Sequence, residues 1–323
     1  MKHKRFLLVM LLFLALLLGG CATETENPLA KNKATAVPGL SMELHAASAS
    51  DANVDQVSAM LYFRYLDEPM LAAESRELNV RRDESVEFAI VEALVEGPSA
   101  GHIDLRRLIP ADAKVESVVS RDKILYVTFN EGFLNDDVPD DWATRDNWRE
   151  EAPILRQLIT QSLAASITET YPYSGIQILV HRQNEVQTSL RLDNAYFLNG
   201  TTGLSEPISR DETLLLTPQH TAEIILTSWQ QNDFERLYRF IAETDKPSFA
   251  ILSESLLTKP SLQEFNVSGG SIAGDGHNAT LTVSLKTYRN NTSNEIHSYP
   301  MLLNRENGIW KISITRLTAL MAQ

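Results

Sequence analysis

The hydrophobic positions of this chain follow different periods in different stretches, and each period predicts an element. Between residues 58 and 200, short runs of alternating apolar and polar residues are separated by two longer stretches in which apolar residues recur every three or four positions. Alternation is typical of a half-buried strand, and the longer spacing is typical of an amphipathic helix. The pattern predicts the order β-β-α-β-β-α-β-β, an α+β sandwich with helices on one face of a sheet.

The limits of these elements follow from cap and turn residues. Asp83 is expected to cap the first helix, Gly97-Pro98 to end it, and Arg121-Asp122 to form a two-residue hairpin turn. Strands are expected at 58–66, 75–83, 114–120, 123–129, 176–181 and 186–192, and helices at 84–96 and 149–170.

The last third of the chain has a different order, with helices first and strands afterwards. Thr217-Pro218 is typical of a helix start, and the sequence NDFE at 232–235 indicates a capping box for a second helix. After an apolar stretch at 249–257, period two and turn-rich connections predict a second α+β domain with a curved antiparallel sheet. Its strands are expected at 263–273, 278–288, 295–303 and 309–316.

The N-terminus has a pattern of its own. Three basic residues within the first five precede the unbroken apolar run 6–18. As a helix this run spans roughly 20 Å, less than the ~30 Å hydrocarbon core of a bilayer. A positive head, a short apolar run and small residues are typical of a secretory signal peptide.

The motif Leu18-Gly19-Gly20-Cys21 resembles the bacterial lipobox, in which cleavage falls before the cysteine and the thiol is diacylated. The alternative is a plain signal peptide with an incidental cysteine. Two or more acyl chains hold a protein on a membrane far longer than one chain does. We therefore expect a protein anchored by lipid on Cys21 at the extracytoplasmic face of the cell membrane.

These patterns divide the chain into five predicted segments. The tether and the linker are rich in small polar residues and poor in large apolar ones, so they lack the means to form a core. The predicted segments are a lipoprotein signal peptide at 1–20, a flexible tether at 21–57, a first domain at 58–200, a linker at 201–215 and a second domain at 216–323.

Composition narrows the functions mainly by exclusion. Cys21 is the only cysteine, so its lipidation would leave no thiolate, disulfide or cysteine-ligated metal chemistry. A formal net charge of −13 argues against nucleic acid as a partner. The histidines have no spacing typical of a metal site, and the sequence predicts no cofactor and no metal.

Several linked motifs in the first domain resemble the GerMN domain of bacterial envelope lipoproteins, which include sporulation and germination proteins. The sequence departs from the family at 128–130, where Asp-Leu-Ser is common, and at 181–183, where a glycine is common, and it has no second GerMN copy. The resemblance implies a fold similar to the ring-building modules of envelope assemblies, a binding or assembly role, and no catalytic residues. The motifs are LYF at 61–63, RELNV at 76–80, ALVEGP at 93–98, LIPADAKVESV at 108–118, LYVTFNEGF at 125–133 and IQILV at 176–180.

The second domain is similar to the nuclear transport factor 2-like superfamily, a cone of curved sheet lined by helices. The resemblance rests on the helical sequence at 217–238 and on NGIWKISI at 307–314. Members of this superfamily have many roles, so the resemblance implies a fold rather than an activity.

An acidic cluster with a tryptophan is the first candidate site. It lacks the DxDxDG spacing of a calcium loop, so Ca²⁺ binding, a solvated loop and a partner contact stay as alternatives. An exposed tryptophan would suit a binding hot spot, and packing at a helix start is the other interpretation. The candidate residues are Asp136, Asp137, Asp140, Asp141 and Trp142.

The second candidate site is a pocket in the cone of the second domain. Its aromatic residues are equally consistent with ordinary core packing, and no acid–base pair is identified by spacing. The candidate residues are Trp229, Tyr238, Phe265, Tyr288, Tyr299 and Trp310.

Three functions follow from these observations. The leading one is a lipid-anchored, non-enzymatic envelope protein whose first domain binds an envelope or sporulation protein. The alternative is a lipoprotein that binds a small molecule or a cell-wall fragment in the C-terminal cone. An enzyme ranks third, because it would require two carboxylates or an Asp–His pair converging in a cavity.

Overall fold

The structure is a computed structural model that describes residues 54–135, 148–181 and 189–323. Within these residues it has six α-helices and eleven strands, a mixed α+β architecture. The predicted signal peptide, Cys21 and most of the tether lie outside the described residues.

The N-terminal region, residues 54–200, contains two sheets rather than the single sheet expected. Strands β2-β1-β3 form the first sheet, and β4-β5-β6-β7 form the second. The observed order is β-β-α-β-β-β-α-β-β, because a two-residue strand lies after the first helix. The elements are β1 (Val54–Tyr65), β2 (Leu71–Arg81), α1 (Val86–Glu96), β3 (Leu105–Arg106), β4 (Val115–Arg121), β5 (Ile124–Asn130), α2 (Trp148–Thr170), β6 (Gly175–His181) and β7 (Ser189–Arg191).

Helix α1 starts two residues later than expected. Ser85, not Asp83, is the N-cap, and its side chain accepts a hydrogen bond from the N–H of Phe88 at 3.2 Å. Gly97 ends the helix with φ +94°, in the range that favours glycine, as the Gly-Pro signal indicates. The apolar face of α1 is buried against the sheets.

The β4–β5 hairpin turns one residue later than predicted. Asp122 and Lys123 occupy the turn with φ of 51° and 64°. Positive φ at both central residues is the geometry of a type I′ turn, whose twist matches that of the strands. The prediction of Arg121-Asp122 was therefore wrong by one position.

Helix α2 is part of the chain crossover within the second sheet and also bonds to the first sheet. It carries the chain from β5 to β6, which are parallel neighbours and so require such a crossover. Two serines on α2 bond the main chain of β1: the N–H of Tyr62 donates to Ser166 Oγ at 2.9 Å, and Ser162 Oγ donates to the Tyr62 carbonyl at 2.5 Å. α2 therefore fixes β1 as well as the second sheet.

The residues predicted as a linker are bonded to the N-terminal region. Ile208 and Ile176 exchange two main-chain hydrogen bonds of 2.9 and 2.7 Å. The side chain of Gln161 donates to the carbonyl of Ser209 and accepts from the N–H of Asp211. This segment thus continues the packing of the second sheet and of α2.

The C-terminal region, residues 216–323, packs helices against one antiparallel sheet in the order β11-β10-β9-β8. The apolar stretch at 249–257 is a helix. The elements are α3 (Pro218–Gln231), α4 (Phe234–Arg239), α5 (Phe249–Leu257), β8 (Ser261–Ile272), β9 (Asn278–Arg289), β10 (Thr292–Glu306), β11 (Ile309–Lys311) and α6 (Ile314–Met321).

Two local predictions in this region were wrong. The strand expected at 309–316 ends at Lys311, and α6 follows because Ser313 caps it by accepting from the N–H of Arg316. The sequence NDFE is not a capping box, since Asn232 ends α3 in a left-handed conformation and Asp233 caps α4 alone. The start of α3 at Thr217 and Pro218 is as predicted.

Candidate functional site

The described residues contain no group of three or more histidine, cysteine, aspartate or glutamate side chains that could hold a metal ion. The acidic candidates Asp136, Asp137, Asp140 and Asp141, together with Trp142, lie outside the described residues, as Cys21 does. Their predicted roles therefore stay predictions.

The aromatic candidates of the C-terminal region occupy separate environments. Trp229 is buried, and its Nε1–H donates to the carbonyl of Pro260 at 3.0 Å. Trp310 is also buried, and the guanidinium of Arg305 lies over its ring. Tyr288 is 38% exposed and donates to Asn291 Oδ1 at 3.0 Å.

Two of the remaining three candidates, Tyr238 and Phe265, are half-buried. Tyr238 donates to the carbonyl of Pro247 at 2.9 Å, and its ring meets the edge of Phe249. Phe265 packs against the core from β8. These contacts anchor loops and fill the core.

A cavity of about 140 Å³ lies beside β10 and α6. Tyr299 is the one aromatic candidate that lines it; the sequence analysis did not single out the rest of its lining. We call this surface the β10–α6 groove. Its lining residues are Tyr299, Pro300, Met301, Leu302, Ile312, Thr315, Arg316, Ala319 and Leu320.

In the N-terminal region, β4 presents an exposed surface at one edge of the second sheet. Val119 is 59% exposed on this strand. Glu116, also on β4, pairs with His181 of β6, with 2.9 Å between Oε2 and Nδ1. This mixture of an exposed apolar side chain and polar neighbours on an edge strand is suited to contact with another protein. We call Glu116, Val119 and His181 the β4 surface.

The junction between the two regions is an ion-paired cluster that sequence analysis missed. Glu68 is only 3% exposed and accepts from Arg236 through both oxygens, at 2.8 Å from Nε and 2.5 Å from Nη2. Asp67, the adjacent residue, forms an ion pair with Arg239 through one carboxylate oxygen. A bidentate pair such as that of Glu68 fixes orientation as well as distance.

Aromatic contacts complete this junction. The ring of Tyr65 lies 5.3 Å from that of Phe240, and its hydroxyl donates to the carbonyl of Arg239 at 3.0 Å. Burial raises the pKa of the Tyr65 hydroxyl well above its usual value. The buried apolar side chains of both regions accordingly form one continuous cluster.

Buried polar groups elsewhere in the N-terminal region also serve packing. Glu74 is 1% exposed and accepts from Arg76 Nε at 2.7 Å and from the N–H of Ser99 at 3.2 Å. Tyr62 donates to Glu169 at 2.9 Å, and burial together with the charge of Glu169 raises the pKa of Tyr62 to about 12. These groups hold β1, β2 and α2 together and do not converge on the cavity.

Residues 60–184 match the family model Germane, described as sporulation and spore germination. The match confirms the GerMN resemblance for this part of the chain. The nuclear transport factor 2-like resemblance of the C-terminal region stays a prediction. No curated protein sequence matches the chain significantly.

Three solved structures are similar to part of the chain. The tandem GerMN domains of the sporulation protein GerM from Bacillus subtilis are 13% identical, with a TM-score of 0.31 and coverage of 52% of this chain and 48% of that one. The first GerMN domain of the same protein is 20% identical, with a TM-score of 0.30 and coverage of 48% and 98%. A putative lipoprotein from Clostridium perfringens is 20% identical, with a TM-score of 0.24 and coverage of 45% and 85%. This chain thus spans about half the length of the tandem GerMN structure.

In the part of the chain that the structure describes, no helix is both long enough and apolar enough to cross a membrane.

Proposed function

We propose that this chain is a lipid-anchored, non-enzymatic protein of the bacterial cell envelope whose GerMN-type region binds another envelope or sporulation protein. The observation that carries the proposal is the family match over residues 60–184, because that family is described by sporulation and spore germination. The lipobox-like motif at Cys21 supports the anchor.

The buried ionisable side chains are bonded to partners within the fold, and this supports a non-enzymatic role. A catalytic acid or base needs a perturbed group that faces a cavity able to hold substrate. Glu68 and Glu74 are instead buried with arginine partners, and Tyr62 is bonded to Glu169. These groups stabilise the fold and are not available to a substrate.

The β4 surface is the place where we expect the partner to bind. β4 lies at the end of its sheet, so no strand of the described residues pairs with its outer main-chain groups. Val119 adds an exposed apolar side chain at this edge. An edge strand with an apolar side chain can accept a strand or a loop of another protein.

Site-specific photo-crosslinking in cells tests this interaction. A crosslinking amino acid at Val119 should give a discrete protein adduct, whereas the same group at Ile251 should not. Ile251 is a matched control because it is 63% exposed but lies on α5 in the C-terminal region. Equal adduct patterns at the two positions, or none from Val119, would count against the proposal.

The anchor has a separate test. Cells grown with labelled palmitate should incorporate the label into the wild-type protein and not into the Cys21→Ser variant, which should also be processed differently. Wild-type protein without label would contradict lipid anchoring, whatever the crosslinking experiment shows.

The alternative, binding of a small molecule or a cell-wall fragment in the C-terminal region, has weaker support. The cavity there is about 140 Å³. Small-molecule pockets are usually about 300–1,000 Å³. The cavity admits a single side chain or a group of similar size, and a cell-wall fragment is larger.

A further inference from the structure

The β10–α6 groove lies outside the region that matches the GerMN-type family. β11 pairs with β10 only at Asn304, Arg305 and Glu306. β10 itself extends back to Thr292, so most of this edge has no strand beside it in the described sheet. Helix α6 borders the uncovered part, and the cavity lies between them.

Between Pro300 and Asn304, every second residue of β10 turns its main-chain polar groups toward the edge next to α6. Asn304 is paired with β11, while the N–H of Arg305 donates to the carbonyl of His277 at 2.8 Å on the opposite side. Because successive residues of a strand turn their main-chain polar groups to opposite sides, Leu302 turns its N–H and C=O toward the edge that no strand covers. Pro300, which has no N–H, turns only its C=O toward this edge. A proline in a sheet is found at such positions, where no ladder donor is lost. Leu302 thus presents a donor and an acceptor to an incoming extended chain.

The cavity in the groove has a mostly apolar lining. Thr315 and Ala319 are exposed one helical turn apart on α6, and the buried side chains of Met301, Ile312 and Leu320 lie beneath them. Since an apolar cavity of about 150 Å³ is known to hold benzene, 140 Å³ suits one apolar side chain.

A positive charge marks one end of the groove. Arg316 lines the cavity, and its Nη1 donates to the neutral side chain of Asn304 at 2.6 Å. Among the described residues no carboxylate forms an ion pair with Arg316. In a chain with a net charge of −13, this arginine complements a carboxylate from outside.

We propose that the β10–α6 groove binds an extended segment of a partner protein by strand addition, with one apolar side chain in the cavity and a neighbouring carboxylate on Arg316. The uncovered edge pairs with a main chain, and the cavity fits one side chain, so a peptide matches the groove better than a small molecule does. The proposal is independent of the GerMN-type interaction, because it uses residues outside 60–184 and requires no anchor.

A random nonapeptide library displayed on phage, selected against the full chain, tests the proposal. The enriched peptides should share an apolar residue next to an acidic one. The Ala319→Trp variant, which fills the cavity from an exposed position, should weaken the best synthetic peptide at least tenfold. Arg316→Gln should weaken it about tenfold, and it should have no effect on a peptide whose acid is replaced by its amide.

Matched controls separate groove binding from general effects. Ala250→Trp places the same side chain at an exposed alanine of α5, away from the groove, and should leave binding unchanged. Thr315→Phe gives a second way to fill the cavity if Ala319→Trp does not fold. N-methylation of peptide residues whose N–H groups face β10 should abolish binding. N-methylation of the alternate residues, whose N–H groups face away from β10, should not.

Several results would overturn the proposal. One is a selection that enriches no common sequence. Another is an affinity of Ala319→Trp and Arg316→Gln equal to that of the wild type. The third is full affinity of every N-methylated peptide. Crosslinking at Val119 is unaffected by any of these results, so failure here and failure of the GerMN-type interaction can be distinguished.

Discussion

The two regions of this chain bury their sheets in different ways. In the C-terminal region β9 alternates, with Leu281 and Val283 buried while Thr280 is exposed. In the N-terminal region β6 buries consecutive residues, including Ile176, Gln177 and Ile178. A sheet covered on one face requires only alternation, whereas one covered on both faces must also satisfy the polar groups that it buries.

Buried polar side chains are accordingly more numerous in the N-terminal region. They bond the main chain or an opposite charge far away in sequence, as Ser166 does with β1 and Glu68 with α4. Removing one partner of such a bond leaves the other unsatisfied in the interior. We therefore expect polar substitutions to destabilise the N-terminal region and the junction more than the C-terminal sheet.

The largest effect should come from Gly308, a residue of the C-terminal region that lies against β2 of the N-terminal region. This residue has φ +84°, and a Cβ there would overlap the carbonyl oxygen of Ala73 in β2. Gly308→Ala should lower the free energy of unfolding by about 4 kcal/mol, because both the backbone and the contact between the regions are disturbed. Chemical denaturation gives the measurement.

Gly276→Ala is the matched control for this prediction. Gly276 also has positive φ, at +71°, but nothing lies within 4 Å of the position that a Cβ would occupy there. The expected loss is about 1 kcal/mol, from backbone conformation alone. Equal losses at the two glycines would show that the contact between the regions contributes nothing.

The next effect concerns the buried ion pair of the junction. Arg236→Met removes the partner of Glu68 and should lower the free energy of unfolding by about 3 kcal/mol, since an uncompensated buried carboxylate remains. Lys286→Met breaks the exposed ion pair with Glu264 on the C-terminal sheet. This substitution should change the free energy of unfolding by less than about 0.5 kcal/mol. A double-mutant cycle with Glu68→Gln should show strong coupling, and a coupling near zero would refute this prediction.

A smaller effect is expected at the serine that joins α2 to β1. Ser166→Ala leaves the buried N–H of Tyr62 without its acceptor and should lower the free energy of unfolding by about 2 kcal/mol. Ser268→Ala removes a hydrogen bond to Thr282 on the exposed face of the C-terminal sheet and should cost about 0.5 kcal/mol or less. Similar losses in thermal unfolding would remove the contrast between the regions.

The smallest effect is a change in pH dependence at Glu74. Burial opposes its ionisation, but hydrogen bonds from Arg76 and the N–H of Ser99 outweigh burial, so the pKa of Glu74 lies below its usual value. A lowered pKa contributes stability above the unfolded-state pKa, and this stability is lost as the pH falls through the folded-state value.

Glu74→Gln should therefore reduce the loss of stability in acid while lowering stability at pH 7. Glu77→Gln, the same charge change at an exposed position of the same strand, should leave the acid dependence nearly as in the wild type. Denaturation curves between pH 7 and about pH 3 are the measurement, and identical slopes for wild type and Glu74→Gln would contradict the assignment.

Local signals in the sequence placed many elements correctly. α2 ends at Thr170, as predicted, and α3 starts at Pro218 after Thr217. The family motifs identified the region that matches the Germane model, residues 60–184. Caps, turns and periodicity act over a few residues, so a single sequence is sufficient to read them.

Where two local choices were nearly equal, the sequence was not sufficient. Apolar residues at 309–316 fit a strand, but the cap at Ser313 starts a helix there. The β4–β5 turn moved by one residue to Asp122 and Lys123 because strand pairing selects the turn. Of the candidate pocket residues, only Tyr299 lines the cavity, since spacing does not determine which side chains meet across a sheet and a helix.

The sequence by itself determined most of the helices and strands, the acidic charge and the GerMN resemblance. Only the tertiary structure decided that two sheets share the N-terminal region, that the predicted linker is bonded to it, and that β10 and α6 enclose a groove. It also decided the pairing of Glu68 with Arg236, which are 168 positions apart. Capping and periodicity depend on neighbours along the chain, whereas these contacts depend on how distant segments pack, and no short stretch of sequence encodes that.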